Sequence, residues 1–596
     1  MSYFEKNLKA LKARDEKMAL WVESANEPED LEVVTSKSGL PVPRLRQVLL
    51  HSGYHPEREG AKLVENNRVD VASVVAVFGF GFGYHLEQIV KCGPKVIVIE
   101  PDPGIIKTAF KARDLTELIE KVTIVSADMF AELSASIDYS SAMWVDHEPT
   151  KRLHLKERTL LAEPFMVRVL AKTREYKVMV VGPVYGGSVP TARFLADALR
   201  DLGFAVDFVD NTIHHAELLG QSAVTTNEVN RANLRTLFNN YLGEKIVARA
   251  DFFKPDVIIA LAQAPLEPPA IKKLKTLGAP VVFWFVENYR MLPYWKLVAP
   301  LYDYFFGIQK GEFLDKLQSA SVTYAGYLPQ AANPKVHRPL DLPADETEKY
   351  GAKISFMGAG YPNRKKFFAG LLDQPFSIWG TEWELHTPVG KLVRNQNRRL
   401  APDEYVKIFN ASEINLNLHS SKAASGVDPV GDFINPRTFE IASCGGFQLV
   451  DERRDLLNMF DVGKEIISFR NMDDLREKIN YYLENPEERF AIANAGRKRV
   501  LKEHTFLHRA AGMMSVVLAR DEEKIEKKRR AGGEENTVGS IIKRSNNPEL
   551  STFLSQFPQD KKLQLKDVMS AINRGEGNLT RPESIFLMID QLLLQG

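Results

Sequence analysis

Residues 432–452 read DFINPRTFEIASCGGFQLVDE. The pattern is a loop, a short helix with Glu440 near its start, a stop at Cys444-Gly445-Gly446, a buried strand Phe447-Gln448-Leu449-Val450 and an acidic turn. A carboxylate on a helix facing a glycine-rich turn can take both hydroxyls of a ribose. Gly445 and Gly446 would let a diphosphate approach the backbone. That combination suits a nucleotide-sugar site in an α/β unit, with Arg437 and Glu440 on its nucleotide side.

Working outward, the same texture repeats three times. In the unit that holds residues 432–452, Lys353–Met357 reads as a strand and Gly358-Ala359-Gly360 as its turn. Tyr361-Pro362-Asn363-Arg364-Lys365-Lys366 then opens a helix with basic residues. Amides at a helix start favour phosphate, and a guanidinium adds a forked donor, so Gly358, Gly360, Arg364 and Lys365 are candidates for the diphosphate. Phe376–Trp379 and Ile414–Leu418 are further strands. Upstream, Lys177–Val181 is a strand followed by Gly182-Pro183-Val184-Tyr185-Gly186-Gly187, a loop that either lets backbone approach a ligand or makes a tight βα turn. Strands recur at Ala205–Val209, Asp256–Ala260, Pro280–Phe285 and Tyr302–Phe306. Glu287 follows one of them, either as a general base for an acceptor hydroxyl or as an ordinary rim carboxylate.

A first repeat starts at Val71–Phe78, with strands Lys95–Glu100 and Val122–Val125. Strand–helix–strand alternation implies parallel sheets covered by helices. The expected organisation is a helical region 1–70, a Rossmann-like accessory domain 71–172, two further Rossmann-like domains at 173–335 and 336–520, a charged linker 521–547 and a helical tail 548–596. The tail is too apolar to stand alone in water, so it should pack on the body or make a homo-oligomer.

The 596 residues carry 78 basic and 77 acidic side chains, a net charge of +1. That balance argues against a duplex nucleic-acid binder. Two cysteines, Cys92 and Cys444, supply no disulfide framework or cysteine zinc site, which fits a reducing cytoplasm. The amino terminus is a charged amphipathic pattern rather than a signal peptide, and no apolar run reaches the roughly 18 residues of a membrane span.

Several motifs together carry a family resemblance. The acids Asp432 and Glu440 stand eight residues apart. With Tyr327–Pro339, Arg437–Glu440 and His504–Arg509, they make residues 175–515 resemble the CgeB-like (spore maturation protein) branch of glycosyltransferases, related to family 4 and of the GT-B fold. The resemblance implies an α/β chain of three tandem Rossmann-like units. The second and third would form the GT-B pair, with the hinge at 324–339 and a helical carboxyl-terminal tail beyond. It further implies a bacterial, cytoplasmic protein-glycosylation enzyme. The reaction would take a nucleotide-sugar donor, UDP-sugar favoured, to a protein or glycan acceptor such as flagellin or a surface polysaccharide. It would be metal-independent, cofactor-free and retaining, with Asp432 near the donor sugar and Glu440 on the ribose. Family members usually have Glu at both acids, so Asp432 is a departure.

The first unit supports other readings. Gly79-Phe80-Gly81-Phe82-Gly83 follows a strand, Glu100 ends the next 17 residues on, and Asp128 follows the third. This resembles the nucleoside site of S-adenosylmethionine-dependent methyltransferases, although Tyr84 and Val77 depart from the usual pattern. The segment His51–Pro56 is similar to amino-terminal regions of Maf-like flagellin glycosylation proteins. Methyl-donor binding at 71–172, or a non-catalytic recognition scaffold, are the alternatives.

Overall fold

The computed structural model describes residues 1–421, 426–534, 537–545, 547–575 and 579–594. The expected linker (521–547) and tail (548–596) therefore fall partly outside the described residues.

Three parallel sheets organise the chain. In the first, strands Val74–Phe78, Lys95–Ile99, Val122–Val125 and Ala142–Asp146 lie in the order 122, 95, 74, 142. In the second, six strands run in the order Tyr324–Tyr327, Tyr304–Gly307, Val281–Phe285, Val257–Leu261, Lys177–Val181, Ala205–Val209. The third has the order Phe376–Trp379, Ala352–Met357, Ser412–Asn417, Gln448–Asp451, Ile467–Phe469. Central strands such as Val257–Leu261 and Val281–Phe285 are buried along their whole length. β-branched and aromatic runs of this kind suit sheets covered on both faces.

The expectation that residues 1–70 are helical needs correction. Helices Tyr3–Arg14, Glu16–Glu23 and Pro56–Asn67 are present, but Leu31–Thr35, Pro41–Leu45 and Val48–Leu49 form an antiparallel sheet. Its strands are short and its middle one carries Pro41 and Pro43, so the alternation was too brief to read. The β-branched Val33-Val34-Thr35 is the signal it offered.

Two crossings join the second and third sheets. The outgoing chain at Ala332 and the returning chain at Thr505 form a parallel bridge: Ala332 N–H donates to His504 O (3.0 Å) and Phe506 N–H to Ala332 O (2.9 Å). Buried Arg509 fastens both, donating from Nε to Pro329 O (2.9 Å), from Nη2 to Gln330 O (3.1 Å) and from Nη1 to Glu503 O (3.0 Å). The helix Phe506–Glu534 then returns to the second sheet. Its Phe506, Ala510, Met513, Met514, Val517 and Ile525 belong to that sheet's core. Among the described residues, no helix is long and apolar enough to cross a membrane.

Candidate functional site

The carboxyl edge of the third sheet is built from side chains the interior cannot leave unpaired. Asn417 Nδ2 donates to Thr438 Oγ1 (2.9 Å), and Asn435 Nδ2 donates to Asn417 Oδ1 (2.7 Å). His419 Nδ1 bonds Asp451 Oδ1 (2.6 Å), and its Nε2 accepts from Asn435 N–H (2.9 Å). Asn435 caps the helix Pro436–Ser443, its side chain accepting from Thr438 N–H at 3.1 Å. This lattice aims the amino end of that helix at the space above the sheet edge.

Glu440 is buried one turn into the helix and its oxygens are already engaged. Tyr405 O–H donates to Oε1 (3.2 Å), with His337 Nε2 at 3.8 Å, and Arg437 pairs with Oε2. His337 Nδ1 accepts from Asn333 N–H (3.0 Å), which places its proton on Nε2, facing Tyr405 Oη at 3.1 Å. Burial pushes the His337 pKa down to about 4, against the pull of Glu440. Arg437 lies over the Tyr405 ring, 4.4 Å from its centroid, and covers the carboxylate.

Arg364 is buried between Phe356 and Tyr361, donating from Nε to Leu418 O (2.9 Å) and from Nη1 to Ala359 O (3.0 Å). Burial lowers its pKa to about 10; Tyr361 and Asp451 oppose that, and the positive charges of Arg437 and Arg453 add to it. Lys365 instead pairs with Glu384 at 2.7 Å. The turn below is closed. Gly358 N–H donates to Trp379 O (2.9 Å) and Gly360 N–H to Thr381 O (2.8 Å), so neither amide faces open space.

The second sheet contributes the opposite wall. Arg399 reaches across and donates to Gly186 O at 2.5 Å. Gly186 has φ +109°, and a Cβ there would stand 2.8 Å from Gln263 Oε1. Gly187 leads into the helix Ser188–Asp201, with nothing within 4 Å of a Cβ added to it. Ser188 Oγ donates to Glu287 Oε1 (3.1 Å); burial raises the Glu287 pKa, with Ser188 partly opposing. Asp432 makes a second link: Arg290 Nη1 donates to both its oxygens (2.9 Å each) and Gln309 Nε2 to Oδ1 (2.7 Å).

Three of the expected glycines stand apart from this group. Gly445 and Gly446 cap the carboxyl end of the helix, their amides donating to Ala442 O (2.9 Å) and Ile441 O (3.1 Å). A helix stop there lies at the far end from Asn435, so these amides are spent on the cap rather than on a diphosphate. Gly182 is a tight βα turn: its N–H donates to Val209 O (3.2 Å) and its carbonyl accepts from Asn211 Nδ2 (2.8 Å).

Sequence reading missed Arg399, Tyr405, Arg290 and Gln309. Arg399 lies in the basic run Arg394–Arg399, which was its only local signal. In the first unit, Glu100 is fully buried, accepting from Phe80 N–H (2.7 Å) and Asp102 N–H (3.0 Å). Each oxygen thus holds one backbone amide of the glycine turn or of the next helix start, the position the resemblance to methyltransferases gives to a ribose-binding acid.

Residues 364–515 match the family described as glycosyl transferase-like. The spore protein CgeB of Bacillus subtilis (strain 168) is 25% identical over 281 residues, covering 46% of this chain and 86% of that protein. Among solved structures, a sucrose-phosphate synthase from Thermosynechococcus elongatus overlaps 57% of this chain and 98% of its own, at 13% identity and a TM-score of 0.39. Anabaena HepE in complex with UDP-glucose overlaps 58% and 99%, at 11% identity and a TM-score of 0.40. Those two overlaps are too loose to add to the fold described above. The family match falls on the segment that holds Arg364, Arg399, Arg437 and Glu440, and the chain is similar to CgeB over 281 residues and to glycosyl transferase-like proteins over residues 364–515.

Proposed function

We propose that the chain is a glycosyltransferase that moves a sugar from a nucleotide-sugar, UDP-sugar favoured, to a protein or glycan acceptor held against the second sheet. The observation that carries this reading is the cluster at the edge of the third sheet: buried Glu440 beneath Arg437, with Arg364 and Arg399 nearby. A ribose would replace Arg437 on Glu440, exchanging an ion pair for two hydroxyl donors. Arg437, so released, would turn with Arg399 to the diphosphate. Cations preorganised about a leaving group stabilise the charge that develops as the glycosyl bond breaks. Arg364, held by two carbonyls, contributes its field rather than a direct bond.

Glu287 is the candidate base for the acceptor hydroxyl, since its raised pKa suits proton uptake better than an ordinary carboxylate. Asp432 acts in this reading as a link between the walls, through Arg290 and Gln309. Transfer in this cleft uses no metal.

Calorimetric titration of the full chain with UDP, GDP, CMP and dTDP tests the reading. One nucleotide should bind, and Glu440→Gln should weaken it about tenfold or more, the loss of a charge-assisted contact. The corresponding nucleotide-sugar should be hydrolysed or transferred. Absence of binding by all four, or equal affinity in Glu440→Gln, would remove the proposed donor site.

A further inference from the structure

The first unit carries a separate cluster at the carboxyl edge of its own sheet. There the chain turns from the strand Val74–Phe78 toward Lys95–Ile99 on one side, and Ala142–Asp146 lies on the other. Open parallel sheets bind ligands at such a switch point. His51 comes from the end of the small antiparallel sheet, His85 from the first turn of the helix Tyr84–Lys91, and His147 directly follows the strand Ala142–Asp146. All three are buried, and one ring nitrogen of each lies within 4.8 Å of the others.

The hydrogen bonds select which nitrogens are free. His85 Nε2 faces Gly79 O at 3.0 Å, which holds its proton there and leaves Nδ1 bare. His147 Nδ1 bonds Thr150 Oγ1 at 2.8 Å, leaving Nε2. His85 Nδ1 and His147 Nε2 are buried with no partner at hydrogen-bonding geometry, although the Leu50 carbonyl lies close enough to the His147 ring to favour its protonated form. Interiors rarely leave polar atoms in that state. His51 Nε2 accepts from Phe82 N–H (2.8 Å), so its proton sits on Nδ1, 3.9 Å from Glu59 Oε2. Gly81 keeps the centre open, since a Cβ there would lie 2.5 Å from His51 Nε2 and 3.2 Å from His147 Cε1.

We propose that His51 Nε2, His85 Nδ1 and His147 Nε2 bind a divalent transition-metal ion of the zinc class. Three neutral imidazoles with an open fourth position are the donor set of catalytic zinc sites. His85 and His147 also have partners for their other nitrogens, Gly79 O and Thr150 Oγ1, as ligating histidines do, and Glu59 Oε2 lies 3.9 Å from Nδ1 of His51. Nitrogens about 2.1 Å from a tetrahedral ion stand about 3.4 Å apart, so the rings close by about an ångström on binding. His51 gives up the Phe82 amide to join. The three rings line a cavity of about 870 Å³ whose wall mixes Arg58 and Lys62 with Glu59, Glu148 and the Arg158–Asp146 ion pair, so a small polar ligand can reach the fourth position.

Full-length protein, stripped with chelator, is titrated with Zn²⁺ by calorimetry and with Co²⁺ by visible absorption. One ion per chain is expected. His85→Gln and His147→Gln should each weaken Zn²⁺ binding at least about a hundredfold. Thr150→Val, which keeps all three ligands, should weaken it about ten- to a hundredfold. Unchanged far-UV circular dichroism shows that each variant is folded. No saturable binding by the wild type, or equal binding by folded His85→Gln and His147→Gln variants, overturns the proposal. Should the histidine variants not fold, the wild-type Co²⁺ spectrum decides: intense bands of a four-coordinate ion support the site, and the faint bands of hydrated cobalt overturn it.

Discussion

Arg290 Nη1 stands 2.9 Å from both carboxylate oxygens of Asp432, so a guanidinium following one sheet holds an acid preceding the helix of the next. Arg290 also bonds Glu312 at 2.8 Å. The pair is only partly shielded, and its worth should be modest, about 0.5–1 kcal/mol. A double-mutant cycle with Arg290→Met and Asp432→Asn, read by chemical unfolding, should give a coupling of that size. It should shrink as salt rises from about 0.1 to 1 M, where screening shortens from about 10 to 3 Å. Strict additivity of the two variants would mean that no such link operates in solution.

Arg399 should matter to transfer more than to stability. Its bond to Gly186 O is exposed, so Arg399→Ala should move stability by less than about 0.5 kcal/mol. Loss of a cation beside the leaving group should lower kcat/KM about a hundredfold. A variant with unaltered kcat/KM would exclude Arg399 from the reaction.

Glu287 links activity to pH. Burial raises its folded pKa, so its favourable contribution to stability is full below the unfolded value and is lost as pH rises through the folded one. At neutral pH the buried carboxylate therefore costs stability. Glu287→Gln should unfold at a higher temperature there while losing the acid limb of the kcat/KM profile. Retention of that limb would assign it to another group.

His337 and His419 predict acid lability of the third unit. Burial holds both near 4, below the model-peptide value of about 6.5. For histidines depressed in this way, the stabilisation is complete above about 6.5 and is lost as pH falls toward 4, because unfolding then takes up protons. Hydrogen exchange in strands Ala352–Met357 and Ser412–Asn417 should accelerate across that window. Flat protection down to pH 4 would contradict the buried neutral state of these rings.

The strands were legible because hydrophobic runs such as VIIAL and VVFWF announce burial on both faces. The parallel sheets follow from their alternation with helices. Glu440 and Arg437 were legible because helix, acid and turn are contiguous. Gly445 and Gly446 misled for the same reason: a glycine pair after a helix has the same letters whether it cradles a ligand or caps the helix. Arg399, Tyr405 and Arg290 were not legible, since each acquires its partner from a residue at least 35 positions away. Local pattern records which side chains are buried but not which distant one they meet.

The returning helix Phe506–Glu534 has a consequence for how the chain is made. The second sheet ends at Tyr327, yet Met513, Met514, Val517 and Ile525 complete its core. About 200 residues of synthesis separate the two, roughly 10–40 s at 5–20 residues per second. Throughout that interval the nascent second sheet carries an uncovered apolar face while the third is still emerging from the ribosome. Vectorial folding therefore cannot complete the second sheet's core before the third sheet is made, and the most aggregation-prone moment falls just before the helix Phe506–Glu534 is translated.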